Sequence, residues 1–225
     1  MKPRGLSYEL AGSGRVLFTD RAAGNVSSVS GGEAERGEEV RERLRARIGV
    51  QRIARGRQVH GAVVARVTAR DDPAGGAIAA ADGQATALAR LGVMVLAADC
   101  LPVALGSSRA VAMLHAGWRG IAAGVIEEGV RALRELGGAD ESAAVVGPGA
   151  GPCCYSVGSE VHTALTGAPR EGPIDLRAIV RGRLLAAGVG EVRDVEACTI
   201  CDERFFSHRR EGEHAGRQAG VAWLS

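Results

Sequence analysis

Two short runs, residues 93–98 and 110–114, consist entirely of apolar side chains. A strand of this kind has no polar face for water, so both of its faces must be covered by other parts of the chain. Gly106, Ser107 and Ser108 lie between the runs and are compatible with a tight hairpin connection. The two runs therefore predict strands that lie inside the protein.

Helix patterns occur elsewhere without a regular alternation with strands. Val40, Leu44 and Ile48 recur at helical spacing before Gly49, which predicts an amphipathic helix over residues 33–48. The other predicted elements are a helix over residues 121–136, a helix capped by Asp175 and stopped at Gly188, and strands over residues 59–67, 143–146, 192–197 and 221–224. The irregular order favours mixed sheets over a doubly wound parallel sheet, in a single domain over residues 1–225. Residues 71–76 predict an exposed loop.

Three side chains that can bind a metal lie at the ends of predicted strands: His60, Cys100 and His115. Two imidazoles and one thiolate suit a zinc ion with an open fourth position, as in catalytic zinc sites. The same donors also suit copper. The alternative for each residue alone is an ordinary buried position, since free Cys is among the most buried residue types. A hairpin of the two apolar runs would separate Cys100 from His115 unless residues 99–102 fold back across the sheet.

The composition excludes several classes of partner. The net charge is only +2, and no cluster of Arg alternates with aromatic side chains, so a nucleic-acid partner is not expected. No segment approaches the roughly 20 apolar residues that span a bilayer. Residues 1–10 lack the apolar segment of a secretory signal, so we expect a cytoplasmic protein with no membrane partner.

The remaining cysteines allow more than one interpretation. Five cysteines in a chain without a signal segment predict reduced thiols, with no disulfide between Cys198 and Cys201. That Cys-x-x-Cys pair could be a redox pair or half of a four-cysteine zinc site, and Cys153 and Cys154 are adjacent. The plainer expectation is that these four are buried structural thiols outside the first shell of the His60 site.

Two glycine-rich segments are candidate ligand loops. Residues 117–120 lie between a predicted strand and a helix, where free backbone N–H groups and Arg119 could hold a phosphate. The alternative is an ordinary loop with a solvated arginine. Residues 147–155 form a second segment rich in Gly and Pro, which predicts a rigid, non-helical loop.

Taken together, the motifs of this chain resemble the YfiH family, also called the multicopper polyphenol oxidase or laccase-domain family. The resemblance extends over residues 18–224. It rests on these segments, in order: Phe18-Thr19-Asp20-Arg21 with Gly24-Asn25, Gln58-Val59-His60-Gly61, Ala81-Asp82-Gly83, Ala98-Asp99-Cys100-Leu101-Pro102, His115-Ala116-Gly117-Trp118-Arg119-Gly120, Gly151-Pro152-Cys153-Cys154-Tyr155, Cys198-Thr199-Ile200-Cys201, Phe205-Phe206-Ser207-His208-Arg209-Arg210, Gly216-Arg217 and Trp223-Leu224.

The resemblance implies a fold, a metal and an activity. The implied fold is a single α/β (α+β) domain with mixed β-sheets in stacked α/β/β/α layers. The implied metal is zinc, held by two His and one Cys, which fall on His60, Cys100 and His115. Members are described as purine nucleoside enzymes that use phosphate to split adenosine, inosine, guanosine or methylthioadenosine, and that deaminate adenosine. Copper-dependent laccase activity and peptidoglycan editing are described for some members.

Roles for further residues follow from motif position. Asp99 is the carboxylate next to Cys100, and it either exchanges protons with the substrate or orients a ligand or loop. Arg119 is the candidate phosphate contact. Arg21, Asn25 and Gln58 are candidate contacts to the nucleoside.

Three other functions compete with the purine nucleoside enzyme. A multicopper oxidase needs many His ligands, and the chain has only five His. A zinc-stabilised regulator would have a closed four-ligand site. A cysteine hydrolase acting on cell-wall precursors would use Cys100 as nucleophile and His115 as base. Metal content separates these functions.

Overall fold

Two β-sheets pack face to face in the computed structural model, which describes residues 5–69, 78–137 and 141–225. Helices cover the outer surface of each sheet. The stacked α/β/β/α layers and the mixed sheets expected from the sequence are therefore confirmed. The loop predicted over residues 71–76 lies outside the described residues. Within the described ranges, no helix is both long enough and apolar enough to cross a membrane.

The helices of the described chain are short to medium in length. The α-helices are α1 (Gly37–Ile48), α2 (Trp118–Ala123), α3 (Val125–Gly137), α4 (Ser159–Thr166), α5 (Leu176–Ala186) and α6 (His208–Glu211), and the 3₁₀ turns are Arg21–Ala23, Ala34–Arg36 and Gly212–His214.

The strands are β1 (Leu6–Glu9), β2 (Gly14–Phe18), β3 (Arg52–Ala54), β4 (Gly56–Arg57), β5 (Val64–Arg66), β6 (Ile78–Ala80), β7 (Gly83–Thr86), β8 (Leu91–Ala97), β9 (Leu101–Gly106), β10 (Val111–Ala116), β11 (Ala143–Val146), β12 (Ser156–Val157), β13 (Gly172–Pro173), β14 (Glu191–Asp194) and β15 (Gln218–Leu224).

The two large sheets differ in strand order but are both mixed. The first sheet has the order β1-β2-β15-β8-β3, in which only the β3–β8 pair is parallel among the described strands. The second has the order β14-β11-β9-β10-β7-β5, with antiparallel strands in the middle and a parallel pair at each edge. Short pairs β4–β6 and β12–β13 lie outside these sheets.

Apolar side chains fill each of the three spaces between layers. Phe18 and Val95 of the first sheet pack against Met113 and Val145 of the second. Outside the first sheet, Val40 of α1 and its neighbours pack on strand residues. Outside the second sheet, α3 covers β7 and β10, and α5 covers β11 and β14. Burying one such large side chain contributes roughly 1.5–3 kcal/mol to folding stability. The packed layers therefore hold the strands, and the residues at their ends, in fixed positions.

Most predicted helices form with the expected ends. Gly49 ends α1 in the left-handed region at φ 75°, where its N–H bonds to the Arg45 carbonyl. The Asp175 carboxylate caps α5 by accepting a hydrogen bond from the N–H of Ala178 at 3.0 Å. The helix predicted over residues 121–136 is in fact two helices, because Gly124 adopts φ 94° and separates α2 from α3.

The predicted hairpin of residues 93–98 with 110–114 is wrong. The first run forms β8 in one sheet, and the second forms β10 in the other sheet, where its hairpin partner is β9. No strand was predicted over residues 101–106, where Pro102 has no N–H to donate to a neighbouring strand. Its carbonyl instead accepts a hydrogen bond from the N–H of Gly147. Since Pro102 pairs with His115, the true hairpin brings Cys100 and His115 to the same end.

The strand predicted over residues 59–67 is also mostly wrong, because only Val64–Arg66 forms a strand. Residues 58–63 form a turn, and His60 within it has φ 59° in the left-handed region. The backbone N–H groups that a strand would use for pairing are bound to a buried carboxylate instead, as described next.

Candidate metal centre and its surroundings

The candidate metal ligands meet at one end of the central strands of the second sheet. Cys100 immediately precedes β9, and His115 lies at the end of β10, which is antiparallel to β9. The strand β7 is antiparallel to β10, and β5 is parallel to β7. Both β7 and β5 therefore begin at the end of the sheet where β10 finishes. His60 lies in the turn that leads into β5. The sheet therefore brings three distant segments together.

The donor atoms of His60, Cys100 and His115 all lie within 4.8 Å of one another. The His60 Nε2 is 3.8 Å from the Cys100 Sγ, and the two imidazole rings are 4.9 Å apart at an angle of 67°. His115 is buried, Cys100 is partly buried and His60 is exposed. The three predicted donors thus converge, and one side of the group faces solvent.

Asp82 is the residue that holds this group together, and we assigned it no role from the sequence. Its carboxylate is fully buried and accepts hydrogen bonds from the backbone N–H groups of Val59 at 3.0 Å, His60 at 2.9 Å and Gly61 at 2.8 Å. It also lies 2.9 Å from the Nδ1 of His115. Because an ionised carboxylate only accepts, Nδ1 carries a proton, so a metal would bind His115 through Nε2 once that nitrogen has lost its own proton.

Electrostatics favour charged side chains at this centre. Burial raises the pKa of the Cys100 thiol, but the charge of His115 and hydrogen bonds from both imidazoles outweigh it and bring that pKa to about 6. Burial likewise works against the charged form of His115, but Cys100 and Asp82 outweigh it and raise its pKa to about 9. For Asp82, hydrogen bonds from His115 and the backbone overcome burial and lower its pKa. The lowered pKa favours the thiolate form of Cys100, which is the form that binds metals.

The glycines of the segment His115-Ala116-Gly117-Trp118-Arg119-Gly120 make room for the centre. A Cβ on Gly117 would lie 2.9 Å from the Cys100 Sγ and 3.0 Å from the His60 ring. A Cβ on Gly120 would lie 2.9 Å from the Gly61 carbonyl oxygen. The turn into α2 can therefore pack directly against two of the candidate ligands only because these positions have no side chain.

Asp99, the predicted proton-transfer residue, has both carboxylate oxygens engaged by the protein. One accepts a hydrogen bond from the Thr199 hydroxyl at 2.7 Å, and the other accepts from the backbone N–H of Arg209 at 2.7 Å. Its own backbone has φ 93°, and its carbonyl accepts from the N–H of Ala150. These contacts favour the alternative that Asp99 orients the turn carrying Cys100.

The three candidate nucleoside contacts also bond to the protein. Gln58 exchanges two hydrogen bonds with the backbone of Leu96, which fixes the start of the His60 turn. Asn25 is buried, and its amide donates to the carbonyls of residues 30 and 32. Arg21 stacks on Phe206 and donates to backbone carbonyls of residues 203 and 205. In this structure each of them orders a loop, and their contact with substrate stays a prediction.

Arg119 lies in the first turn of α2, two residues after Gly117. Its side chain is exposed, and its guanidinium lies 4.3 Å from the centre of the Trp118 ring. Stacking of this kind orients the guanidinium plane while leaving its N–H groups available. The position is consistent with the predicted anion contact.

Two further arginines and a tyrosine surround Cys100 and were not singled out from the sequence. Arg209 lies over the Tyr155 ring at 4.9 Å and donates to the Ser156 carbonyl. Burial raises the pKa of Tyr155, and the charge of Cys100 adds to this effect. Burial lowers the pKa of Arg217, against the opposing charges of Cys100 and Asp99. In the sequence, these three residues are marked only by lying within motifs that resemble the YfiH family.

The other four cysteines differ from the expectation of buried thiols, which is wrong for three of them. Cys153, Cys154 and Cys201 are exposed and Cys198 is partly buried, because all four lie on turns outside the layered core. Their sulfur atoms lie within 4.8 Å of one another and form a second group, separate from His60, Cys100 and His115.

Comparison with known proteins covers almost the whole chain. Residues 13–225 match the family model described as multi-copper polyphenol oxidoreductase laccase. A relative from Xylella fastidiosa named purine nucleoside phosphorylase is 37% identical over 220 residues, which cover 89% of this chain and 84% of the relative.

Solved structures show the same architecture. A Neisseria meningitidis protein superimposes with a TM-score of 0.85 at 28% identity, covering 99% of this chain and all of that one. YlmD from Geobacillus stearothermophilus superimposes with a TM-score of 0.83 at 28% identity, covering 94% of this chain and 92% of that one.

Proposed function

The chain belongs to the multi-copper polyphenol oxidoreductase laccase family, and on that premise we propose that it is a zinc-dependent purine nucleoside enzyme. Its reactions are the phosphate-dependent cleavage of adenosine, inosine, guanosine or methylthioadenosine and the deamination of adenosine. The observation that carries this proposal is the convergence of His60, Cys100 and His115 on one point beside a half-exposed opening. The name of the Xylella fastidiosa relative supports the nucleoside and phosphate as substrates.

The donor set fits zinc. Two imidazole nitrogens and one thiolate sulfur within 4.8 Å require only small shifts to reach zinc bond lengths of about 2.0–2.3 Å. Asp82 fixes the tautomer of His115, as a carboxylate behind a zinc-bound histidine commonly does. When bound, a zinc ion supplies Lewis acidity toward an oxygen of water or substrate at the open fourth position.

Multicopper chemistry has less support. Of the five His, His162 lies in α4 and bonds to the Gly172 carbonyl, while His208 and His214 lie in or near α6. Among the described residues, only one group of potential metal donors contains any histidine. A relay of several coppers needs more His ligands than that, so we favour zinc over copper.

The chain's own residues supply the rest of the site. In this proposal Arg119, which follows the Gly117 turn and is exposed, binds the phosphate or another anion through its guanidinium N–H groups. Arg209 and Arg217 add positive charge around Cys100 and Tyr155, which balances a bound anion. Tyr155 remains protonated because its pKa is raised, so its hydroxyl can donate a hydrogen bond to substrate. Asp99 orients the Cys100 turn in this scheme.

A cysteine hydrolase is the second candidate, favoured by one observation. His115 lowers the pKa of Cys100 to about 6, as a base lowers that of a nucleophilic thiol. The Nδ1 of His115 is also held by Asp82, which would orient such a base. The two candidate functions differ in whether Cys100 binds a metal. In the hydrolase Cys100 is a free thiolate, and in the nucleoside enzyme it is a metal ligand.

Metal analysis paired with turnover tests the proposal. Protein purified without chelator is expected to contain zinc bound through Cys100 and to release adenine or hypoxanthine from nucleosides only when phosphate is present. Removal of the metal by a chelator should stop both phosphate-dependent cleavage and adenosine deamination, and added zinc should restore them. Full activity of metal-free protein, or activity toward cell-wall precursors alone, would overturn the proposal.

A further inference from the structure

Two segments far apart in the chain meet at the second cysteine group. One contributes the adjacent pair Cys153 and Cys154 on a turn after β11, and the other contributes Cys198 and Cys201 on a turn after β14. The strands β11 and β14 are parallel neighbours, so their following loops leave the same end of the second sheet. The sheet therefore brings two thiols from each segment to one place.

The four sulfur atoms are close enough together for one metal ion to reach all of them, since all lie within 4.8 Å of one another. Around one zinc with Zn–S bonds near 2.3 Å, a tetrahedron would separate the sulfurs by about 3.8 Å. The Cys201 Sγ lies closer than this to Cys154, at 2.7 Å, and to Cys153, at 3.2 Å, so zinc binding would move it outward by about 1 Å. An iron–sulfur cluster places its cysteine sulfurs around several irons and therefore needs a wider arrangement.

Disulfide pairing accounts for the arrangement less well. Cys201 lies close to both Cys153 and Cys154, and it can bond to only one of them. A bond between Cys153 and Cys154 would join neighbouring residues, whose Cα atoms are about 3.8 Å apart, below the usual disulfide range. The four sulfurs lie within 4.8 Å of one another, and all five cysteines of the chain are free thiols.

The backbone around the group is built to accept a thiolate. The N–H of Gly151 donates to the Cys198 Sγ at 3.2 Å, an arrangement that stabilises a thiolate. A Cβ on Gly151 would lie 3.1 Å from the Cβ of Cys198 and 3.4 Å from the Cys153 Sγ, so the loop can come this close only with glycine.

A buried arginine bonds to the backbone of both cysteine-bearing loops, the one after β11 and the one after β14. Arg177 of α5 donates to the carbonyls of Gly147 and Gly149 in the first loop and to that of Ala197 in the second. Its charge is balanced by Asp194 at 2.6 Å. The frame that presents the cysteines is therefore held by core contacts.

Arg210 holds the turn between two of the cysteines. It donates hydrogen bonds to the carbonyls of Thr199 and Ile200, the two residues between Cys198 and Cys201. Its guanidinium is also paired with Glu211 at 2.6 Å, which fixes its position.

We propose that Cys153, Cys154, Cys198 and Cys201 bind a second Zn²⁺ in a closed tetrathiolate site whose role is structural. All four positions of the ion are taken by protein sulfur, so no substrate or water binds to it. The ion links the loop after β11 to the loop after β14. The inference does not rest on the proposed nucleoside activity, and only the expected total of two ions assumes that the His60 group also holds zinc.

Zinc counting on the full-length protein tests the proposal. Wild-type protein purified without chelator should contain two zinc ions per chain, and Cys201→Ser should contain one. Cys100→Ser should also contain one, and the double variant none. The Ile200→Val variant changes the residue between the ligands without removing a donor, so it should retain both ions.

Two further measurements keep the test decisive if Cys201→Ser folds poorly. Cys201→His restores a zinc donor and should recover the second ion. Wild-type protein loaded with Co²⁺ should show intense sulfur-to-metal charge-transfer absorption from four thiolates, which persists in His60→Ala. One zinc per chain that is lost in Cys100→Ser, or a thiol count below five on denatured, unreduced protein, would overturn the proposal. Iron or copper(I) in place of zinc at the four cysteines would overturn its choice of metal.

Discussion

The two groups of potential metal donors share one sheet but differ in their donors and in their surroundings. His60, Cys100 and His115 offer three donors at one end of the central strands of the second sheet. The buried Asp82 carboxylate lies on one side of them, and His60 is exposed to solvent on the other. The four-cysteine group offers four donors on loops at the surface, with a backbone N–H and a buried arginine behind them. An open set can take part in chemistry, and a closed set can only join segments.

The difference in surroundings teaches how each group is held. Asp82 receives four hydrogen bonds, three of them from consecutive backbone N–H groups, so the turn carrying His60 is fixed by one side chain. The four cysteines have no comparable carboxylate among their described contacts, and their loops are held through backbone carbonyls. Fixed donors suit catalysis, because small displacements of a ligand cost activity.

The largest expected effect comes from Cys100→Ala. Loss of this donor should reduce phosphorolysis and deamination together, by roughly a thousandfold, because Lewis-acid assistance contributes several kcal/mol. Steady-state rates with adenosine and inosine measure this. The folded Cys201→Ser variant is the control and should keep both activities. Equal losses in the two variants would end the distinction between an open and a closed group.

Asp82→Asn should weaken metal binding at one group only. Replacing a carboxylate behind a metal-bound histidine typically costs 10–100-fold in affinity, and we expect a loss of about that size, measured by competition with a chromophoric chelator. The ion at the four cysteines should stay in place. Asp175→Asn is the matched control, because Asn caps a helix as well as Asp does. Retention of full affinity in Asp82→Asn would show that His115 needs no carboxylate partner.

Arg119→Ala should separate the two reactions of the open group. Only phosphorolysis needs a bound anion, and a lost charge-assisted contact costs roughly 1.5–3 kcal/mol, or about tenfold to a hundredfold in rate. Deamination of adenosine should change little. Phosphate titrations measure the effect, with Arg43→Ala on the opposite layer as control. If both reactions slow equally, the anion assignment to Arg119 is wrong.

Thr199→Val should have the smallest effect, a loss of folding stability. Thr199 follows Cys198 and bonds to Asp99, which precedes Cys100, so it connects the two groups. The Thr199 hydroxyl is fully buried and bonds to Asp99, so its removal leaves a buried carboxylate oxygen without that partner. We expect a loss of about 1–3 kcal/mol in unfolding free energy, or roughly 2–12 °C in Tm, by calorimetry. Both metals should remain bound. Thr163→Val, on the exposed face of α4, is the control. Release of a metal from Thr199→Val would mean that the groups are one cooperative unit.

Some of this architecture could be predicted from the sequence because the signals are local. The helix ends at Gly49 and Asp175 depend on a few neighbouring residues, and they appear where expected. The donors His60, Cys100 and His115 were recognised by chemistry and by their places next to apolar runs. Their convergence depends on β9, which was not predicted, since the pairing of β9 with β10 is not a local property.

The parts that sequence did not predict depend on contacts between distant segments. Asp82 lies in Ala81-Asp82-Gly83, which is typical of any exposed turn, and only tertiary structure buries its carboxylate under the His60 turn. The turn at residues 58–63 has an alternating pattern that predicts a strand, but its N–H groups bind Asp82. Likewise, nothing in the spacing of Cys198 and Cys201 indicates that their partners are Cys153 and Cys154.

The position of β15 has a consequence for how the chain is made. This strand lies in the middle of the first sheet, between β2 and β8, and the Ala219 N–H that bonds to the Thr19 hydroxyl belongs to a residue 200 positions later in the chain. At about 5–20 residues per second on the ribosome, β2 waits roughly 10–40 s for its neighbour. During translation, the apolar residues of β2 and β8 therefore stay available to chaperones, or to other nascent chains, until the last strand emerges.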